Sequence, residues 1–188
     1  MAYADTKINR DAVITALNKG DKVSATNYLL PLAKQGIAEA QFMLVSVLQD
    51  SDQAQAGYWL RKAAENKHPD ACLILGVMYL QGIGVAEDLE MAKKWLLIAA
   101  SNGVTAAQLH LGILYRTGPM QSQDEHEAFK WMKQAAEDGN AEAQFRLAEL
   151  YRYGYGVGAD PAQTERWLHQ AAKQGHLEAT QSLGRQSQ

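Results

Sequence analysis

The side chains able to do chemistry are few and scattered. The histidines are His68, His110, His126, His169 and His176. A zinc site needs three or four ligands at fixed spacing, as in H-E-x-x-H. Only Glu125-His126-Glu127 groups such residues, and consecutive helical residues point in different directions. That cluster reads as a solvated helix start. Cys72 is the single cysteine, so no internal disulfide or cysteine-based zinc site can form. No motif supplies it with a His–Asn/Asp partner set, which argues against a catalytic thiol. Gly82-Ile83-Gly84 and Gly154-Tyr155-Gly156 join helix to helix, and no G-K-[ST] follows either. The sequence therefore predicts no catalytic residue, no metal ligand, no cofactor and no enzyme.

The elements that carry these residues recur. Trp59, Trp95, Trp131 and Trp167 are spaced by 36. So are Ala71, Ala107, Ala143 and Ala179, and so are Asp88, Asp124 and Asp160. Tyr79, Tyr115 and Tyr151 make another such column, as do Gly82, Gly118 and Gly154. An Ala-Ala pair follows each Trp by four residues, and Gly103, Gly139 and Gly175 follow three of those pairs. Fixed periods of this length mark stacked repeats. His68 and His176 share one column, so repeat grammar explains them better than a metal does. One register step is shorter: Ala40, Leu44 and Tyr28 lie 31 before Ala71, Leu75 and Trp59. The copy from Ala38 has lost five residues of its middle loop and reads Gln49-Asp50-Ser51-Asp52-Gln53 there.

Each repeat reads as a helical hairpin. In residues 140–175, Ala143, Leu147, Ala148 and Tyr151 form one stripe of a first helix. The run Gly154 to Gly158 breaks it. Asp160 is placed as an N-cap with Pro161 in the first turn, and Trp167, Leu168, Ala171 and Ala172 form the stripe of a second helix. The small residues allow close helix approach, and the aromatics fill the gaps between hairpins. A hairpin cannot bury both its sides alone, but a stack can.

These columns resemble the Sel1-like repeat, a relative of the tetratricopeptide repeat. Residues 69–103 carry its pattern in Ala71, Leu75, Gly76, Tyr79, Gly82, Gly84, Val85, Asp88, Ala92, Trp95, Ala99, Ala100 and Gly103. Residues 141–175 match with Ala148 in place of Gly and Thr164 in place of Ala, and residues 105–139 depart at Pro119, Met120 and Gln121. The resemblance implies an all-α fold, a right-handed α-solenoid of stacked antiparallel hairpins. It also implies a bacterial adaptor that binds other proteins, with no shared catalytic residues. The expected organisation is one domain over 1–188. It would hold a degenerate helix pair at 5–36, repeats at 38–67, 68–103, 104–139 and 140–175, and a capping helix at 176–188.

Composition narrows the partner. Lys+Arg total 18 and Asp+Glu 21, for a net charge of -3, which disfavours nucleic acid. No run of about 18 apolar residues is present, so no transmembrane segment is expected. Ala2-Tyr3-Ala4 before Asp5 has the shape of a signal-peptidase site. It makes a periplasmic or exported chain one expectation, and a cytoplasmic chain is the other. A monomer is the favoured state.

The remaining first-helix columns are the candidate partner-binding face. They are Met43, Ile74, Val77 and Leu80 toward the N-terminal half. Toward the C-terminal half they are His110, Ile113, Arg116, Arg146, Glu149 and Arg152, with Tyr153 and Tyr155 adjacent. Each trio within a helix is spaced by three and forms a slanting face. On this reading a concave groove, apolar at one end and cationic-aromatic at the other, seats a protein segment with an acidic end. An inhibitor or immunity protein for a secreted toxin is one specific form. The alternative is a cell-envelope carbohydrate or peptidoglycan binder, or a hydrolase accessory, in which Tyr153 and Tyr155 stack on sugars.

Overall fold

A computed structural model describes residues 10–117 and 124–186. The Ala2-Tyr3-Ala4 site, the start of the N-terminal pair at Asp5, and Gly118, Pro119, Met120 and Gln121 lie outside the described residues. Within them the regular structure is entirely helical. The helices are α1 (Arg10–Asn18), α2 (Lys22–Lys34), α3 (Ala38–Leu48), α4 (Gln53–Glu65), α5 (Pro69–Gln81) and α6 (Leu89–Ser101). They continue with α7 (Thr105–Thr117), α8 (Glu125–Glu137), α9 (Ala141–Tyr153), α10 (Pro161–Lys173) and α11 (Leu177–Gln186).

Aspartates decide where the even-numbered helices begin. Asp21, Asp52, Asp88, Asp124 and Asp160 each accept a bond from the backbone N–H three residues on, at 2.9–3.3 Å. Each cap satisfies a backbone donor that the helix itself leaves orphaned. Glycines end two of the odd-numbered helices. Gly82 and Gly154 cap α5 and α9 in the left-handed conformation, with φ of 66° and 75°. A residue with a Cβ would resist that backbone.

The chain divides into two compact units, residues 1–98 and 99–188. In the first, α1 packs on α2, α2 on α3, α3 on α4 and α4 on α5. Its core includes Val13, Ala25, Leu29, Ala40, Leu44, Val47 and Trp59. Gly76 of α5 lies so close to α6 that an added Cβ would sit 2.8 Å from Leu96 Cγ. In the second unit α7 packs on α8, α8 on α9, α9 on α10 and α10 on α11. Its core joins Met132, Leu147, Ala148, Leu150, Trp167, Leu168 and Ala179. Gly112 repeats the close approach, here against Met132 Cε at 2.8 Å. Ala148 takes the same column in α9 and is buried.

Candidate functional site

The polar columns hold successive hairpins in register. Gln41 of α3 donates to the Ala33 carbonyl of α2 at 2.9 Å, and its side-chain oxygen accepts from Asn66 at 2.8 Å. Gln144 of α9 repeats this, donating to Ala136 O and accepting from Gln174. Cys72 stands in the same column and reaches the Ala64 carbonyl through Sγ at 3.5 Å. Burial pushes its thiol up to about 11, so it is protonated and poorly nucleophilic at neutral pH.

The histidine column has a built role that sequence reading did not see. His176 Nδ1 accepts from the backbone N–H of Ala179 at the start of α11, at 3.4 Å. Its Nε2 reaches Glu142 Oε2 at 2.9 Å, and its ring stacks on Phe145 at 4.6 Å. His68 does the same at the start of α5, with Ala71, Glu39 and Phe42. The signal was present. Ala-Glu-Ala-Gln-Phe occurs at 38–42 and again at 141–145, in the two repeats that are followed by a column histidine.

Glu142 is held below its ordinary range. Burial pushes it up, but the hydrogen bond from His176 and the charge of Arg146 outweigh that. Arg146 Nε lies against Glu142 Oε1 as an ion pair without hydrogen-bond alignment. Arg146 is thus engaged within α9.

The other candidate residues fall into two sets, one per unit. In the first, Met43 packs against the core while Ile74 is exposed and Val77 and Leu80 are half-buried. In the second, Ile113 packs against the core. His110 is half-buried, and burial lowers its pKa, favouring the neutral ring. Arg116, Glu149 and Arg152 are half-buried. Tyr153 and Tyr155 are 59% and 40% exposed, with ring centroids 5.7 Å apart. Arg152 lines a hollow of about 280 Å³ with Ala159, Pro161, Thr164 and Glu165.

The tryptophans serve packing. Trp59, Trp95 and Trp167 are buried, and Trp131 is half-buried. Lys94, Lys130 and Arg166 lie over the rings of Trp95, Trp131 and Trp167 at 5.1–5.4 Å. His126 is exposed at the start of α8, as its sequence setting implied. Among the described residues, no three His, Cys, Asp or Glu side chains are grouped to hold a metal, and no helix is long and apolar enough to cross a membrane.

Comparison with known proteins agrees with the repeat columns. The Sel1 repeat profile matches residues 38–68, 69–104, 105–140 and 141–176. A Sel1 repeat protein from Oxalobacter formigenes is 38% identical, with a TM-score of 0.75 over 88% of this chain and 49% of its own. The protein c5321, a protective antigen of uropathogenic Escherichia coli with an SLR fold, is 34% identical. Its TM-score is 0.77 over 85% of this chain and 35% of its own. This chain thus spans about half and about a third of those two proteins. A sel1 repeat protein from Klebsiella pneumoniae shares the fold at 21% identity and a TM-score of 0.51, over 94% of this chain and 90% of its own. No curated protein matched. Sel1 repeats commonly mediate protein–protein interaction and typically act as non-enzymatic scaffolds. Four consecutive repeats, set in an all-helical α-solenoid fold, place this chain in the Sel1 repeat family.

Proposed function

We propose that this chain is a non-enzymatic module that seats a partner protein on the face of α7 and α9. The observation that carries this is the exposed Tyr153–Tyr155 pair, which follows Arg152 in the chain. The side chains of Arg152 and Arg116 have no ion pair or hydrogen bond among the described residues, whereas that of Arg146 is committed to Glu142. Tyrosine and arginine dominate the energetics of protein interfaces because each offers large contact area with a polar end. Two guanidinium groups without a carboxylate partner among the described residues suit a partner segment with an acidic end. In the first unit, Ile74, Val77 and Leu80 offer an apolar face for the same kind of contact. Inhibition of a secreted toxin is a specific form of this function.

The test is affinity capture from the native organism's extract, with wild-type bait beside an Arg116→Glu/Arg152→Glu variant. One protein retained by wild type and lost by the variant supports the reading. Equal retention on both baits overturns it. A toxin or hydrolase as that protein favours the inhibitor form.

The exposed tyrosines also favour a second reading, stacking on envelope sugars. The tryptophans do not add to it, since packing and cations cover their rings. Titration with peptidoglycan fragments, read by Tyr153→Ala and Tyr155→Ala, separates the two.

A further inference from the structure

The repeat with the shortened loop leaves a gap that another repeat fills. Between α8 and α9, Phe129 and Tyr151 meet edge to face at 5.4 Å and occupy the space between the helices. The loop after α9 then closes over the start of α8. Gly156 N–H donates to Glu125 Oε2 at 3.3 Å, and its backbone lies against the Glu125 carbonyl. Between α2 and α3 the same columns hold Thr26 and Leu48, and the five loop residues that would supply the cover are missing. Both substitutions are large-to-small. What remains is a hollow of about 350 Å³ lined by Lys22, Val23, Thr26, Asn27, Leu48 and Ser51.

The lining states what would fit. Val23, 71% exposed, and half-buried Leu48 give apolar walls. The rim is polar and carries both signs, because Lys22 Nζ pairs with Asp50 Oδ2 at 3.0 Å. A carboxylate or an ammonium entering here would have to displace one member of that ion pair to reach the other. A neutral hydroxyl can accept from the lysine or donate to the aspartate. In three other repeats the Leu48 column carries a tyrosine: Tyr79, Tyr115 and Tyr151.

We propose that this hollow between α2 and α3 is a socket for a tyrosine side chain presented by a partner protein. The ring would take the place of the Phe129–Tyr151 pair, and the hydroxyl would meet the Lys22–Asp50 rim. The socket does not use the α7–α9 face, so either proposal can fail without the other.

The experiment titrates ¹³C-labelled full chain with p-cresol, the tyrosine side chain as a free molecule, and follows methyl resonances. Saturable shifts confined to Val23, Thr26 and Leu48 are expected, with a Kd on the order of 1 mM for a probe of this size. Leu48→Tyr and Thr26→Phe fill the hollow from within, and each should weaken p-cresol at least about tenfold. Leu48→Tyr should also raise Tm by restoring the repeat's own residue. Far-UV circular dichroism checks both folds, and either variant suffices if the other unfolds. Toluene should bind several-fold more weakly. Absence of saturable shifts at those methyls, undiminished binding in the folded variants, or toluene binding as tightly as p-cresol each overturns the assignment.

Discussion

His176, the residue before α11, lies 2.9 Å from Glu142 of α9, and α9 and α11 are consecutive first helices of the repeat array. One ring thereby performs two tasks. With the proton on Nε2, Nδ1 accepts from the Ala179 N–H and caps α11 while Nε2 donates to Glu142; Glu178 Oε2 also stands 3.4 Å from Nδ1. Asn140, in the same column, caps α9 through its amide oxygen and makes the shorter bond, 2.8 Å. His176→Asn should therefore keep the cap and lose the ring's contacts with Glu142 and Phe145. His176→Ala should lose both, at a cost of about 1 kcal/mol for the cap alone. Thermal unfolding of the two variants should rank wild type above Asn above Ala.

Glu142 links this cluster to pH. Its folded pKa lies below its ordinary value of 4.5, so the native state binds the proton less well than the unfolded chain does. The stability it contributes is fully present above about 4.5. It is lost as pH falls through the folded value. Glu142→Gln should be less stable than wild type at pH 7, and the difference should shrink as pH drops below 4.5. Urea midpoints measured at several pH values would show this convergence. Parallel curves would assign the acid sensitivity to other carboxylates.

The glutamine column contains one fault. Gln108 Oε1 is buried and has no hydrogen-bond partner among the described residues. In the columns of Gln41 and Gln144 the matching oxygen accepts from Asn66 and Gln174. The third repeat has Asp138 there, and an ionised carboxylate cannot donate. A buried acceptor left alone costs about 1–3 kcal/mol. Asp138→Gln should recover part of that, roughly 1 kcal/mol, and raise Tm. Asp138→Ala removes the same charge without supplying a donor, so the gain of Gln over Ala isolates the hydrogen bond. Equal Tm values for the two variants would sink this explanation.

The local chemistry of the fold was legible in the sequence because it repeats. An aspartate can cap a helix, and a glycine can adopt positive φ, whatever lies elsewhere in the chain. Asp160, Pro161 and Gly154 took the places their types demanded. The candidate face was less legible. A column assignment puts Arg146 beside Arg152 in type, but it does not say which carboxylate a long flexible side chain will reach. Glu142, four residues earlier, holds Arg146. Likewise Met43 and Ile113 occupy face columns yet pack on the cores of their units. The His–Glu–Phe clusters were missed for a different reason. They involve two of the four repeats, and a consensus column averages such pairing away.

Cys72 is the one intrinsic thiol probe. It is fully buried, and its pKa of about 11 leaves little thiolate at pH 8. Its reaction with a disulfide reagent should follow opening of the protein rather than thiol chemistry. The rate should be far below that of a free thiol in native buffer and should reach the free-thiol rate in denaturing urea. Fast labelling in native buffer would mean that the α4–α5 contact opens readily.

The loop glycines should differ sharply in tolerance. At Gly156 a Cβ would stand 2.0 Å from the Glu125 carbonyl oxygen, and φ is +68°. Neither problem can be relieved by turning a side chain, because the obstacle is backbone. Gly158, two residues on, has open space and no positive φ. Gly76 is intermediate, since the obstructing Leu96 atoms belong to a side chain that can shift. The expected costs are about 3 kcal/mol or more for Gly156→Ala, 1–3 for Gly76→Ala, and under 0.5 for Gly158→Ala. Urea denaturation of the three variants tests the order. Gly156→Ala should also release the Gly156–Glu125 bond and leave the start of α8 open to solvent, visible as faster amide exchange at Glu125 to Ala128. If exchange there is unchanged while stability falls, the loop does not close over α8 in solution.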